Sequence, residues 1–115
     1  MKNEELNILD DALRDKAISL QSLGVDEYGW ARPQVQEVFD VLLAEKKAVI
    51  GGDVYYEYDG RLESAYANWH CEPKPGEQLD DFVRRSIVYA LEYLGKVDDL
   101  SGKRAVFVPV VGDVI

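Results

Sequence analysis

Residues 48–71, AVIGGDVYYEYDGRLESAYANWHC, decide the fold of this chain. Two runs of strand-favouring residues flank Asp59-Gly60, and an Asp-Gly pair between such runs is the strongest short pattern for a β-hairpin. Glycine and aspartate are otherwise depleted in strands, so Gly51, Gly52 and Asp53 stand out at the start of the first run. We therefore predict a hairpin with a two-residue turn and an unusual glycine pair in its first strand.

The predicted turn assigns each hairpin residue to a face, because residues opposite one another share a side. One face is mainly apolar, carries Ile50, Val54 and Trp69, and is the predicted core face. Gly52 is diagonal to Trp69 and leaves room for the indole, while Gly51 permits a bulge or leaves backbone open to a partner. The other face gathers polar and aromatic side chains: Asp53, Tyr55, Tyr66, Asn68 and His70.

Two helices are predicted before the hairpin. Leucines recur at three- and four-residue steps over residues 4–23, which is typical of an amphipathic helix, and Gly24 suits its C-terminal end. A loop over residues 25–32 then leads to a second helix, with Pro33 in its first turn. This helix ends at Lys46-Lys47.

A helix and a strand are predicted after the hairpin. The helix follows PKPG at residues 73–76 and runs to about Gly95, and the strand covers residues 104–111. Pro109 lacks an N–H, so it suits a strand end or an edge position. The order is ααββαβ over residues 1–115: one α+β domain whose small, mostly antiparallel sheet packs against helices.

The charge balance restricts the partners. Twenty-two acidic residues against 13 basic ones give a formal net charge of −9, whereas nucleic-acid binding through phosphates requires a basic face. We therefore expect no direct contact with nucleic acid and favour a basic protein partner, since opposite potentials speed encounter. An acidic surface that serves only solubility is the alternative.

Further totals concern the compartment. A chain with one cysteine has no internal disulfide framework and fits a reducing environment. It shows neither a secretory signal nor an apolar run of about 18 residues that could span a membrane. We expect a cytoplasmic protein without membrane contact; its oligomeric state is left open, with a monomer favoured.

The catalytic, zinc and phosphate-binding arrangements considered for this chain each lack a residue or a structural context that they require. The one histidine, His70, stands next to the one cysteine, Cys71, and neighbours on a strand point to opposite faces. One of each is too few for a zinc site, and GGD lacks the strand-to-helix context of a phosphate loop. We predict no enzyme, no cofactor and no metal, although abundant carboxylates leave acid–base chemistry open.

Several pieces of the sequence stand out together: Gly24 with Glu27 and Trp30, GGDVY at 51–55, NWHC at 68–71, Arg85-Ser86 and Tyr93. In this combination they resemble the immunity protein 40 family of bacterial polymorphic-toxin systems. His70 stands where an aromatic residue is more frequent in that family.

The resemblance implies a non-enzymatic protein that binds and neutralises a cognate toxin domain in the cytoplasm of the producing cell. Delivery would be by contact-dependent inhibition or another secretion route, and such toxins are often nucleases with basic clefts. An acidic protein with aromatic anchors can occupy such a cleft. The predicted centre is Asp53, Tyr55, Tyr66 and Asn68, with Glu57, Asp59 and Glu63 steering from the hairpin tip, and Trp30 and Trp69 as scaffold residues that could also touch the toxin.

Two other function classes compete with this interpretation. A regulatory module of the cytoplasm could bind a small molecule or a peptide in a groove between the hairpin and the helices. A carboxylate enzyme would instead need a deep pocket holding an Asp or Glu whose pKa is raised.

Overall fold

The computed structural model describes residues 1–112, and it is an α+β domain as predicted. The strands are β1 (Ile18–Ser19), β2 (Tyr28–Ala31), β3 (Ala48–Tyr58), β4 (Arg61–His70) and β5 (Arg104–Gly112). The helices are α1 (Asp11–Asp15), α2 (Arg32–Ala44) and α3 (Leu79–Lys96), with 3-10 turns at Asn3–Ile8 and Gln21–Leu23. The strands form one sheet in the order β1-β2-β5-β3-β4, and all neighbours are antiparallel.

The hairpin turn is the predicted one. Tyr58 pairs with Arg61, which leaves Asp59 and Gly60 as the two loop residues, with φ of 48° and 73°. Positive φ at both positions is what a two-residue turn requires to match the twist of its strands. The Asp-Gly pair therefore specifies this turn by local backbone preference alone.

The register beyond the turn differs from the prediction. Pairs run as expected to Tyr55 opposite Ser64, and then Val54 pairs with Ala67. The two residues between, 65–66, have no partner on β3 and form a bulge. Because the insertion has an even length, the faces of the remaining residues do not change, but every later pairing moves by two.

The predicted first helix is wrong as a single element. Residues 4–23 are divided among a 3-10 turn, α1, β1 and a second 3-10 turn. Leu9 is extended, with φ −90° and ψ 151°, and the Asp10 side chain accepts a hydrogen bond from the Leu13 amide at 2.9 Å, so a new helix begins there. The predicted apolar positions are nevertheless buried: Leu6, Leu9, Leu13 and Leu20.

The predicted loop at residues 25–32 contains strand β2, which is also a correction. Trp30 pairs with Phe107 of β5, and Gly29 pairs with Ile18 of β1. A Cβ at Gly29 would lie 2.8 Å from the side chain of Val108, so β5 fills the space that a side chain would need. A four-residue strand containing glycine has no detectable period, and tertiary pairing creates it.

Pro109 is tolerated inside the sheet because β2 is short. The β2–β5 ladder covers Trp30 and Ala31, so Pro109 lies beyond its end on that side. Its carbonyl oxygen there accepts a hydrogen bond of 2.6 Å from the Met1 amino group. An N–H is therefore not needed at this position.

Helices α2 and α3 cover one face of the sheet. Pro33 lies in the first turn of α2 as predicted, and the Trp30 indole fills the centre of the core, donating to the Leu13 carbonyl at 2.8 Å. Burial of such side chains is the main source of stability in a domain of this size. The buried helix residues are Val35, Val38, Phe39 and Leu42 of α2, and Phe82, Val83, Ser86, Ile87, Ala90 and Leu94 of α3.

Candidate functional site

One face of the hairpin is left without a helix. Trp69 stacks on Tyr93 of α3 with ring centroids 5.1 Å apart, and Val54 belongs to the main core. The residues that alternate with these two therefore point away from the helices. We call this side the outer face; its hairpin residues are Asp53, Tyr55 and Glu57 of β3 and Ser64, Asn68 and His70 of β4.

Asp53 and Asn68 lie at the centre of the outer face. They form a directly opposed pair, both exposed to at least an intermediate degree, at the side of a shallow depression of about 260 Å³. The glycine pair contributes backbone without side chains to its wall. The residues lining the depression are Ile50, Gly51, Gly52, Asp53, Asn68, Trp69, His70 and Val110.

The centre of the outer face is electronegative. Burial raises the pKa of the Tyr55 hydroxyl, and the charges of Asp53 and Glu27 raise it further, which places both carboxylates near that ring. Burial also lowers the pKa of the Met1 amino group, against the opposing effect of Glu27, Glu5 and Asp53. Neither Asp53 nor Glu27 forms an ion pair with a lysine or arginine in the part of the chain that the structure describes.

The steering acids predicted near the hairpin tip are mostly paired. Glu57 forms an ion pair with Arg104, and Glu63 pairs with Lys103 at 2.5 Å. Glu63 lies opposite Tyr56, on the helix side of the sheet and therefore away from Asp53. Of the three, Asp59 remains an exposed acid in the turn, so the charge of the tip is smaller than the sequence suggests.

Both tryptophans belong to the scaffold. Trp30 is fully buried, and Trp69 is 5% exposed and lies across Gly52, whose Cβ would be 2.2 Å from the indole ring. Trp30 is therefore closed to a partner, and only a small part of Trp69 is open, at the depression described above. Direct contact of Trp69 with a partner stays a prediction.

Tyr66 takes a position that the regular register did not predict. It lies in the bulge at residues 65–66, has a left-handed backbone with φ of 53° and is 95% exposed. Because strand alternation is interrupted there, Tyr66 is not opposite Asp53 as predicted. It projects from edge strand β4, two residues from Asn68.

The residues that carry the family resemblance divide into two groups, and the first group builds the scaffold. Trp30 and Tyr93 fix the core as described above, and Gly24 ends a 3-10 turn with φ of 74°. Arg85 donates two hydrogen bonds of 2.8 Å to the Glu77 carboxylate, and the Ser86 hydroxyl accepts one of 3.0 Å from the Val49 amide. These contacts tie α3 to the hairpin and to the loop between them.

Within the described residues, the second group lacks such scaffold contacts, apart from a contact of 2.9 Å between the side chains of His70 and Glu72. Glu27, Asp53, Tyr55, Asn68 and His70 remain after the scaffold residues are removed, and they come from β3, β4 and the approach to β2. The four hairpin members share the outer face, and Glu27 acts on Tyr55 there. The fold thus brings to one surface the motif residues that it does not itself require.

The sequence model of the immunity protein 40 family matches residues 19–111, which is most of the chain. The chain belongs to the immunity protein 40 family. No curated protein and no solved structure matches it. Membership of an immunity protein family implies a toxin as the partner and points to an inhibitory role.

Within residues 1–112, this immunity protein shows no His, Cys, Asp and Glu grouping that could hold a metal ion. In the same residues, every helix is too short or too polar to cross a membrane.

The groove that a regulatory module would need is filled, since Val54, Trp69 and Phe82 form part of one buried cluster between hairpin and α3. The Glu77 carboxyl has a strongly shifted pKa, but its hydrogen bonds with Arg85 lower that pKa, to about 2. A general acid requires a raised pKa.

Glu27 is the residue of the outer face that sequence reasoning did not select as a site. It is part of the family resemblance, but residues 25–32 were predicted to form a loop, and the direction of a side chain in a loop does not follow from the sequence. The pairing of β2 with β1 and β5 brings it near Tyr55. Glu27 was missed because the sequence pattern did not predict strand β2.

Proposed function

We propose that this immunity protein neutralises its toxin by covering a basic surface of the toxin domain with the outer face. The toxin is of the nuclease type, and its phosphate-binding cleft is the complement of an acidic inhibitor. The encounter takes place in the cytoplasm of the producing cell, and contact-dependent inhibition is one route by which the toxin arrives. One observation carries the proposal: the motif residues without a scaffold role share this surface.

Charge supports the proposal. Asp53 and Glu27 form no ion pair with a lysine or arginine within the described residues, as noted above. The Met1 amino group offsets part of their charge, and the remainder is available to a partner. A carboxylate that is half-buried beside Tyr55 is screened less by salt than a fully solvated one. An arginine or lysine of the toxin placed over Asp53 could also bond to the Asn68 side chain.

Shape supports it as well. Tyr55 and Tyr66 present aromatic surface with few rotatable bonds, the side-chain type most enriched among residues that dominate binding energy. The sheet holds them on β3 and β4, so little entropy is lost on binding. Rigid aromatics around a central charge are suited to a long-lived complex.

A charge reversal at the centre tests the proposal. Asp53→Lys should weaken binding of the toxin domain encoded beside this gene by at least about 100-fold, because it places like charges in contact. The melting temperature should stay within about 3 °C of wild type, since Asp53 forms no ion pair that the substitution would break. Affinity is measured by titration calorimetry and protection by growth of cells producing the toxin.

Asp40→Lys provides the matched control. Asp40 is exposed on α2, on the helix side of the sheet, and its substitution changes the net charge by the same amount. Binding equal to wild type is expected for this variant. If Asp53→Lys also protects cells fully, the outer face is not the toxin-binding surface.

A further inference from the structure

Tyr66 is the most exposed of the large apolar and aromatic side chains that the structure describes, at 95%. Its backbone has a φ of 53°, a conformation that residues other than glycine, asparagine and aspartate seldom adopt. Its amide donates a hydrogen bond of 3.0 Å to the Ser64 hydroxyl, which holds the bulge in place. A strained residue that the surroundings hold in this way is a candidate for function.

The hairpin does not need the bulge for its own architecture. Tyr55 pairs with Ser64, and the next pair is Val54 with Ala67. Removal of residues 65–66 would join these two ladders into one regular hairpin, with every other side chain on its present face. Neither the burial of Trp69 nor the position of Asn68 therefore explains the insertion.

Protection of the edge strand explains a bulge but not a tyrosine. A bulge interrupts the free edge of β4 and hinders pairing with another chain. Glycine or asparagine would do this with less strain at positive φ, and a charged residue would do it with less exposed apolar surface. The aromatic ring is the part of the feature that remains without a structural reason.

We infer that Tyr66 is a preformed anchor that inserts its ring into a pocket of the toxin domain, beside the basic surface that faces Asp53. This inference rests on the proposed function and adds a contact to it. Asn68 pairs with Asp53 and lies two residues from Tyr66, so the ring stands at the border of the acidic centre. The pocket is expected to have apolar walls and a lysine or arginine near its rim, where a cation can face the ring.

The inference predicts opposite effects of one substitution on stability and binding. Tyr66→Gly should raise the melting temperature by about 3 °C, because glycine adopts this φ without strain. The same substitution should weaken binding of the purified toxin domain by about 100-fold, as expected for an interface anchor.

Two further variants separate the ring from the backbone. Tyr66→Asn keeps a residue that tolerates the left-handed conformation but removes the ring, and it should bind as weakly as Tyr66→Gly. Tyr66→Phe keeps the ring and should bind within about 5-fold of wild type. Tyr89→Ala, which removes an exposed tyrosine of α3, should bind like wild type.

The outcomes distinguish this inference from the proposed function. If the glycine and asparagine variants bind the toxin like wild type while Asp53→Lys does not, Tyr66 is not an anchor and the outer face is still the binding surface. If Asp53→Lys also binds like wild type, both fail. If glycine lowers the melting temperature, the ring has a structural role, which contradicts the inference.

Discussion

At the scale of single residues, Gly52 and Trp69 show why the hairpin begins with glycine. They are directly opposed, and the indole ring lies across the position where a Cβ would be, with three ring atoms within 2.6 Å of it. The same ring packs against Tyr93, with the two ring planes tilted by 32°. The indole is buried among other side chains and has little room to move, so the position admits no side chain.

Gly52→Ala should therefore destabilise the protein strongly. An added methyl group in a packed core costs about 1–3 kcal/mol, and the 2.2 Å approach to the indole puts this position at the upper end. The free energy of unfolding is measured by guanidinium denaturation, with the fluorescence of Trp30 and Trp69 together as the probe.

Gly95→Ala is the control for that experiment. Gly95 lies in α3, and a Cβ there would meet no atom within 4 Å, so alanine should stabilise by about 0.5–1 kcal/mol. Equal effects of the two substitutions would mean that Trp69 does not lie over Gly52.

Helix α3 is the element that holds the hairpin and the following loop together. Arg85 binds the Glu77 carboxylate at two atoms, donates to the Glu72 carbonyl at 2.5 Å and lies 5.3 Å from the centre of the Phe82 ring. The Arg85 hydrogen bonds are the main reason that the pKa of Glu77 falls to about 2. The Arg85-Ser86 pair therefore has a structural role.

The depressed pKa of Glu77 predicts a dependence of stability on pH. A carboxyl whose pKa is about 2 in the folded protein, against an ordinary 4.5, stabilises fully above about pH 4.5 and progressively less as the pH falls toward 2. Glu77→Gln lacks this contribution. The difference in melting temperature between wild type and Glu77→Gln should be constant above about pH 5 and shrink below it.

Glu92→Gln serves as the reference, because Glu92 is exposed on α3 and has no ion pair among the described residues. Its melting temperature should follow that of wild type at each pH. A gap between wild type and Glu77→Gln that stays the same from about pH 7 to pH 3 would show that the Glu77–Arg85 pair does not contribute through its charge.

Elements with strong local preferences were predictable from the sequence, and short paired elements were not. The Asp59-Gly60 turn and the apolar period of α3 each act within a few residues, so their positions were predicted correctly. Strands β1 and β2 together have six residues; β2 exists because β5 offers it a partner, and β1 pairs in turn with β2. The first predicted helix breaks at Leu9 and Asp10, and Asp10 caps the helix that follows. The regular spacing of the leucines continues across this break, so the sequence pattern did not reveal the break.

Over the whole molecule, the net charge of −9 does not produce the same electrostatic field at every part of the surface. Ion pairs with Arg104 and Lys103 reduce the electrostatic field near Glu57 and Glu63. Asp53 and Glu27 have no such ion pair with a lysine or arginine in the described part of the chain. The strongest attraction for a basic partner is therefore expected at the centre of the outer face rather than at the hairpin tip.

This distribution predicts how salt affects binding of the toxin domain. Raising the ionic strength from about 0.05 M to 0.5 M should lower the association rate constant by about 10-fold or more, since it screens long-range attraction. The dissociation rate constant should change much less, because short contacts decide it. Stopped-flow fluorescence measures both constants, and an association rate independent of salt would refute electrostatic steering.

The sequence by itself determined the fold class, the hairpin and its turn, the alternation of faces along β3, the surface position of Asp53 and the resemblance to an immunity protein family. All of these depend on backbone preference, period or local motif, which act within a few residues. Only the tertiary structure decided the bulge that exposes Tyr66, the pairing that neutralises Glu57 and Glu63, the burial of both tryptophans and the approach of Glu27 to Tyr55. Each of these requires residues far apart in the chain to meet, and short-range patterns do not contain that information.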